Sequence, residues 1–257
     1  MTELSSAALP PRPDVGRLFT GHRRVRLGDV RPDGSLRLDA LTRYTQDVSN
    51  DDTGDAELPD AMAWVVRRTV VDVVRPAIFG ENLEIVTFCS GLGNRWAERR
   101  LSIRGDRRAR YEVSTLWIYI DAVSGRPRVL VDRFLELYGP AAQGRKVQAR
   151  LTHGPSAADA EQVAWPLRRA DFDLFNHVNN AAYWATVEEL LPDRAERRSV
   201  PSRFTIEYRD GIGAGASVRI ARLRSPESDH LWWLTGEGDD VAASARVELV
   251  DPGWYRT

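Results

Sequence analysis

The densest polar constellation in this chain of 257 residues is Asp171-Phe172-Asp173-Leu174-Phe175-Asn176-His177-Val178-Asn179-Asn180. It runs into a stretch in which Tyr183, Val187, Leu190 and Leu191 fall on one face of a helix, and Pro192 closes it. Asn179 or Asn180 is placed to cap that helix. Unpaired backbone N–H groups and the positive end of the dipole gather at such a start, which suits it to polarise a carbonyl or hold an oxyanion. A carboxylate beside it, Asp173, has the chemistry of a general base or a nucleophile. The same residues also suit a structural role, a capped helix whose histidine is satisfied by local hydrogen bonds.

The remaining chemistry-bearing residues are dispersed. Cys89 is the sole cysteine and lies in a strand candidate with no histidine near it in sequence, so a core position is expected, with no disulfide and no cysteine-based zinc site. His22, His153 and His230 lack ligand-like spacing, so no metal is expected. No glycine-rich phosphate loop is present, and no cofactor is predicted. Glu188 and Glu189 lie along the helix, either facing the site or on a solvated face, the latter being favoured. With 36 basic and 37 acidic residues the net charge is −1, which argues against a nucleic-acid partner. The polar, proline-rich Met1–Arg17 lacks a signal-peptide core, and no apolar run approaches the ~18 residues of a membrane span. The expectation is a cytoplasmic protein with no membrane association.

The elements around this segment repeat. A strand over Leu18–Leu27 precedes an amphipathic helix carrying Leu38, Leu41, Tyr44 and Val48, which Asn50, Asp51, Asp52 and Gly54 are expected to break. Strands are predicted over Ala63–Val74, Asn82–Ser90, Trp96–Arg104 and Ala109–Ile120. Gly139–Gln162 reads as a linker. The programme then recurs: a strand over Val163–Leu167, the polar turn, the helix, and strands over Ser202–Tyr208, Ser217–Leu223, Leu231–Thr235 and Val241–Leu249. In the last, Val241, Ala243, Ala245, Val247 and Leu249 should be buried while Ala242, Ser244, Arg246 and Glu248 are wet. Setting Asp29 against Asp171, an offset of 142 residues, brings the two helices into register. A lone helix with an apolar stripe needs a sheet wrapped round it, and two such units side by side make an α+β tandem (double) hotdog. The predicted boundaries are 15–140 for the first unit, 141–161 for the linker and 162–257 for the second unit.

The segment from Asp173 to Tyr183 resembles the catalytic turn of the acyl-acyl carrier protein thioesterases, which read Asp, three residues, His-Val-Asn-Asn, then Tyr. Ile206-Glu207-Tyr208-Arg209 is similar to that family's Leu-Glu-Tyr-Arg strand, and Ile78-Phe79-Gly80-Glu81 and Trp96-Ala97-Glu98-Arg99-Arg100 resemble runs in its first half. The resemblance extends from Phe19 to Val250; His-Val-Asn-Asn alone is shared with many single-hotdog acyl-CoA thioesterases, and the ordered set is more specific. It implies hydrolysis of fatty acyl thioesters, preferably on acyl carrier protein, with coenzyme A thioesters as the alternative substrates and a non-catalytic acyl-thioester-binding protein as a further alternative. It places Asp173 and His177 on the family's catalytic aspartate and histidine. The family's asparagine falls on Phe175, so the adjacent Asn176 is the candidate to replace it if the turn shifts. Its glutamate falls on Gly211, and neighbouring Asp210 should point to the other face. In the first half Arg31 and Ser35 stand where Asp173 and His177 do, implying one active site, with the first unit supplying sheet and part of an acyl tunnel. The implied chemistry uses no serine or cysteine nucleophile: the backbone N–H groups of Val178, Asn179 and Asn180 bind the thioester carbonyl, and Asp173 activates water or attacks. Arginine clusters such as Arg99-Arg100 and Arg107-Arg108 suit an acidic carrier or a polyphosphate. A monomer or weak homodimer is expected, because a double hotdog already contains the pairing that single hotdogs reach by dimerising.

Overall fold

The computed structural model describes residues 8–58, 63–190, 201–225, 228–236 and 240–250. In chain order, β1 (Phe19–Arg24) leads through a short 3-10 turn into α1 (Leu38–Asp55). β2 (Ala63–Arg75), β3 (Asn82–Leu92), β4 (Trp96–Gly105) and β5 (Arg110–Ile120) follow, then α2 (Asp132–Ala142). β6 (Glu161–Ala164) and a second 3-10 turn precede α3 (Asn180–Leu190) and the strands β7 (Ser202–Tyr208), β8 (Val218–Arg224), β9 (Ser228–Thr235) and β10 (Asp240–Leu249).

The strands form one sheet in the order β1-β3-β4-β5-β2-β7-β10-β9-β8-β6. Read outward from the centre, β2 corresponds to β7, β5 to β10, β4 to β9, β3 to β8 and β1 to β6, so the order has an internal two-fold between β2 and β7. This is the expected α+β double hotdog. At the centre, antiparallel β2 and β7 pair Arg68 with Glu207 and Asp72 with Arg203. Asp72 and Arg203 are buried and bound twice, Nε to Oδ1 and Nη2 to Oδ2, both at 2.7 Å. Both helices pack on the same face: Leu41 and Val48 of α1, and Tyr183, Trp184 and Val187 of α3, share one core with Ile85, Val113, Ile206 and Ala245 of the sheet.

Three local expectations change. α1 does not break at Asn50–Gly54 but runs to Asp55, because tertiary contacts override weak helix formers. The buried Asp52 carboxylate accepts from Arg17 Nε at 2.7 Å and Tyr138 Oη at 3.0 Å, and pairs with Arg99; Thr53 Oγ1 donates back to Ser49 O at 2.9 Å. α2 was not anticipated, and its C-terminal turn takes the start of the predicted linker. Phe134, Tyr138 and Ala141 make its buried face, and Phe134 packs against Trp64 at the end of the first unit. Pro192 and the apolar Leu191 at the close of the second helix lie outside the described residues, as do Arg194, Arg197, Arg198 and the Trp254-Tyr255 tail.

The third change concerns the outer face of the sheet. The Ser244 side of β10, expected to be wet, is buried at Ala242 and Ser244. The segment between α2 and β6 covers it. Trp96 Nε1 donates to Val147 O at 2.9 Å, Arg209 Nη2 to His153 O at 2.6 Å and Trp232 Nε1 to Gly154 O at 3.1 Å. Buried Glu207 accepts from the backbone N–H groups of Thr152 (2.8 Å) and His153 (2.9 Å), and His153 Nδ1 lies 3.0 Å from Ser244 Oγ. Alternation along β7 explains the division of labour: Ile206 joins the core and Tyr208 meets Tyr183 of α3, while Glu207 and Arg209 face outward and grip this strap. Val241 and Ala243 flank a bulge, and Leu249 is exposed.

Removing one partner of the central ion pair leaves a buried charge. Asp72→Ala is expected to cost about 3–5 kcal/mol and lower Tm by roughly 10 °C; the apolar double variant Asp72→Leu/Arg203→Leu should recover most of it in thermal unfolding followed by circular dichroism. A pH dependence follows from His230, stacked on Trp232 with Nε2 3.0 Å from Ser228 Oγ. Burial, reinforced by the Arg246 charge, pushes its imidazole down to about 4. The unfolded chain takes that proton near pH 6.5, so the folded state loses stability as pH falls from there towards 4. Tm should drop across this window, and His230→Gln should flatten part of the drop.

Candidate active site at the start of α3

The polar turn is built by its own side chains. Arg168 N and Nη2 donate to the buried Asp171 carboxylate at 2.8 and 2.7 Å, fixing the 3-10 turn. Asp173 N then donates to His177 O (2.9 Å), and Asn176 N to Asp173 O (3.0 Å). Asp173 Oδ1 accepts from the N–H groups of Phe175 (2.9 Å) and His177 (3.2 Å), an Asx turn that leaves Oδ2 without a protein donor among the described residues. Asn176 sits at φ +61°, a left-handed corner that asparagine tolerates, so backbone geometry accounts for its presence beside Phe175. Leu174 and Phe175 form the tip, 87% and 72% exposed. Asn179, rather than Asn180, is the cap: its Oδ1 accepts from Ala181 N at 2.8 Å.

The three expected oxyanion donors separate here. Val178 N donates to Ile212 O at 2.8 Å and Asn179 N to Asp171 O at 2.7 Å, so both are spent on holding the turn. Only the Asn180 N–H has no acceptor among the described residues. It opens on a cavity bounded by α1, β2 and β5, with Gln46, Thr69, Trp117, Trp184 and Tyr208 in its wall. His177 is exposed, and its backbone bridges Gly213. A Cβ built on Gly211 would lie 3.5 Å from the His177 ring, so the position to which the resemblance assigns a glutamate adjoins the histidine. Asp210 is exposed. Tyr183 packs edge-on against Tyr208 with ring centroids 5.2 Å apart; burial, with the Asp173 charge nearby, pushes its phenol well above the usual range. Cys89 is buried, which pushes its thiol up to about 11 and leaves it unsuited to nucleophilic chemistry. Among the described residues no cluster of His, Cys, Asp or Glu is arranged to hold a metal ion.

The first half repeats this turn bond for bond. Arg31 N donates to Ser35 O (2.8 Å), Gly34 N to Arg31 O (2.9 Å), Leu36 N to Ala77 O (2.9 Å) and Arg37 N to Asp29 O (2.9 Å), and Gly34 at φ +82° takes the left-handed corner. Its helix-start N–H, that of Leu38, is not open. Glu188 reaches over from α3, and Oε1 accepts from Leu38 N and from Arg31 Nη2, both at 2.6 Å. Glu188, with a side chain only 10% exposed, was expected on a solvated helix face; that holds for Glu189 alone. Burial pushes the Glu188 carboxyl up, against the pull of Arg31. Under the 142-residue offset Glu188 corresponds to Gln46 and Leu38 to Asn180. Gln46 and Asn180 indeed line one cavity, so the two-fold presents Gln46 of α1 to the start of α3. Sequence reasoning missed Gln46 because its signal is the offset applied to Glu188, whose own destination was unknown.

Glu188 both caps α1 and neutralises Arg31, so Glu188→Ala should cost about 2–3 kcal/mol, measured by urea unfolding.

Comparison with known proteins agrees with this architecture. The chain matches the family model of the acyl-ACP thioesterase N-terminal domain over residues 16–138 and that of the C-terminal domain over 155–246. It is 32% identical to an uncharacterized protein of Mycobacterium tuberculosis, covering 93% of this chain and 94% of the relative. It is 26% identical to the chloroplastic dodecanoyl-[acyl-carrier-protein] hydrolase of Umbellularia californica, covering 93% of this chain and 72% of the relative. The solved structure of the 12:0-ACP thioesterase from Umbellularia californica superposes with a TM-score of 0.74 at 23% identity, covering 91% of this chain and 97% of that one. The chain belongs to the acyl-ACP thioesterase family, whose members are thioester hydrolases acting on acyl carrier protein, and it carries both halves of that family's fold.

Proposed function

We propose that this chain hydrolyses acyl thioesters at a single site, the start of α3. The observation that carries the proposal lies in the other half: Leu38 N–H holds a carboxylate oxygen at 2.6 Å, while the equivalent Asn180 N–H has no acceptor among the described residues. What Glu188 does at α1, the thioester carbonyl does at α3. One such donor aimed at the developing oxyanion is worth ~10²–10³ in rate.

Asp173, oriented by the N–H groups on Oδ1, uses Oδ2 to take a proton from water. The hydroxide adds to the thioester carbon, the oxyanion rests on Asn180 N–H, and collapse breaks the C–S bond. The proton then passes to the departing thiolate, with His177 on the open side of Gly211 stabilising the sulfur. Asn176 and Asn179 serve by shaping the turn and capping the helix, and Val178 anchors it to Ile212. The first-half turn, with Arg31 and Ser35, has no carboxylate in the position of Asp173 and is silent. The acyl chain enters between α1 and the first half of the sheet. A carrier-protein substrate agrees with the cytoplasmic expectation, and among the described residues no helix is long and apolar enough to cross a membrane. Because β2–β7 already supplies the pairing, a monomer is proposed.

Free-thiol release from acyl carrier protein and coenzyme A thioesters tests this. Asp173→Asn and His177→Ala, folded by circular dichroism, should lose about 10²–10⁴-fold in kcat/KM. Wild-type protein that binds acyl thioesters saturably but turns over none of them would leave a binding protein instead.

A further inference from the structure

The cavity at the start of α3 is unlike an alkyl tunnel. A site for a long hydrocarbon chain is walled by apolar side chains, and here polar side chains stand among the apolar surface of Val66, Trp184 and Tyr208. Thr45, Gln46 and Ser49 line it from α1, Thr69 from β2, and Thr115 and Trp117 from β5. The decisive group is Trp117. Its indole Nε1 is buried and has no acceptor among the described residues. Indole N–H is a donor only, and a buried donor left unmade is costly. Thr45 Oγ1 donates to Thr42 O at 2.8 Å, so its hydroxyl proton is already used and its oxygen retains acceptor capacity. No hydrogen bond to the Gln46 amide is found among the described residues.

We infer that this cavity receives a short acyl group carrying a hydroxyl or keto oxygen, read by Trp117 Nε1–H and the surrounding hydroxyl groups. The inference rests on the thioester lying at Asn180, which is part of the cavity wall. An oxygenated chain gives the indole its acceptor. A plain alkyl chain in the same place leaves the indole unpaired and strips water from the threonine and serine hydroxyls. Discrimination against the plain chain of about tenfold to a hundredfold is expected.

The test compares hexanoyl, 3-hydroxyhexanoyl, 3-oxohexanoyl and 5-hydroxyhexanoyl thioesters of acyl carrier protein, for wild type, Trp117→Phe and Thr115→Val. Wild type should favour at least one oxygenated chain by tenfold or more in kcat/KM. Trp117→Phe keeps an aromatic ring and removes the donor, so it should erase that preference, read as the ratio of oxygenated to hexanoyl turnover within the same variant. Thr115→Val, near in shape, should reduce the preference several-fold and guards against a Trp117→Phe protein that fails to fold. Equal or better turnover of hexanoyl by wild type would overturn the inference, as would a preference that both variants leave intact. If nothing is hydrolysed, the catalytic reading fails, and calorimetry with the corresponding acyl-pantetheine amides decides the cavity: tighter binding of an oxygenated amide, lost in Trp117→Phe, sustains it, and equal binding overturns it.

Discussion

The pairing of β2 with β7 is the contact on which the site depends. Antiparallel registration sets Asp72 against Arg203 and Arg68 against Glu207, and so fixes where two curved half-sheets meet. Because the helices are packed on those half-sheets, the junction also fixes α1 against α3. One consequence is geometric: the residue eight positions along each helix arrives at the N-terminus of the other. Glu188 reaches Leu38 N, and Gln46 shares a cavity with Asn180. Neither half could build that arrangement alone. A shift of one residue in the β2–β7 register would turn the core-facing Val71 and Ile206 outward and misplace both helix starts. The buried ion pair opposes such a slip, since any other register leaves two charges unpaired.

Two equivalent backbones have been given opposite chemistry. In the first half an arginine, a glutamate and a helix-start N–H satisfy one another within hydrogen-bonding distance. The arrangement is self-sufficient and has no capacity left for a ligand. In the second half the corresponding groups are left with capacity to spare: Asp173 offers Oδ2, Asn180 its N–H, and Gln46 its amide. Stability is placed where chemistry is absent, and withheld where it is wanted. The strap over the outer face serves the same end, because Glu207 and Arg209 hold it from the strand whose Ile206 and Tyr208 support α3.

What the sequence could reveal follows from the range of the forces involved. The 142-residue offset was legible because the turn is dictated locally: an aspartate to hold the 3-10 turn, a left-handed corner filled by Gly34 or Asn176, and an apolar helix after it. The double hotdog followed from that, while Asp173 and His177 were assigned from the likeness of their turn to the family's catalytic turn. Contacts between elements were not legible. Glu188 looks like any charged residue on a helix face until the sheet junction brings Leu38 to it. Ser244 looks like a wet position until His153 covers it. The loss of Val178 and Asn179 as oxyanion donors depends on Ile212 and Asp171 accepting their protons, and no spacing rule anticipates that.

The departures from the family's pattern then take on a definite meaning. The family resemblance sets a glutamate where this chain has Gly211, and a Cβ built there would lie in van der Waals contact with the His177 ring. The scaffold for that carboxylate is therefore intact, while the carboxylate itself is missing. In the proposed reaction the base comes from the turn, and Asp173 is the carboxylate the turn supplies. Under that proposal Asp173 both holds the turn through Oδ1 and acts through Oδ2. The two tasks are compatible because they use different oxygens, and the N–H groups on Oδ1 fix the direction in which Oδ2 points. A residue that shapes the loop is in this way also aimed by it, so the constraint that builds the turn orients the chemistry.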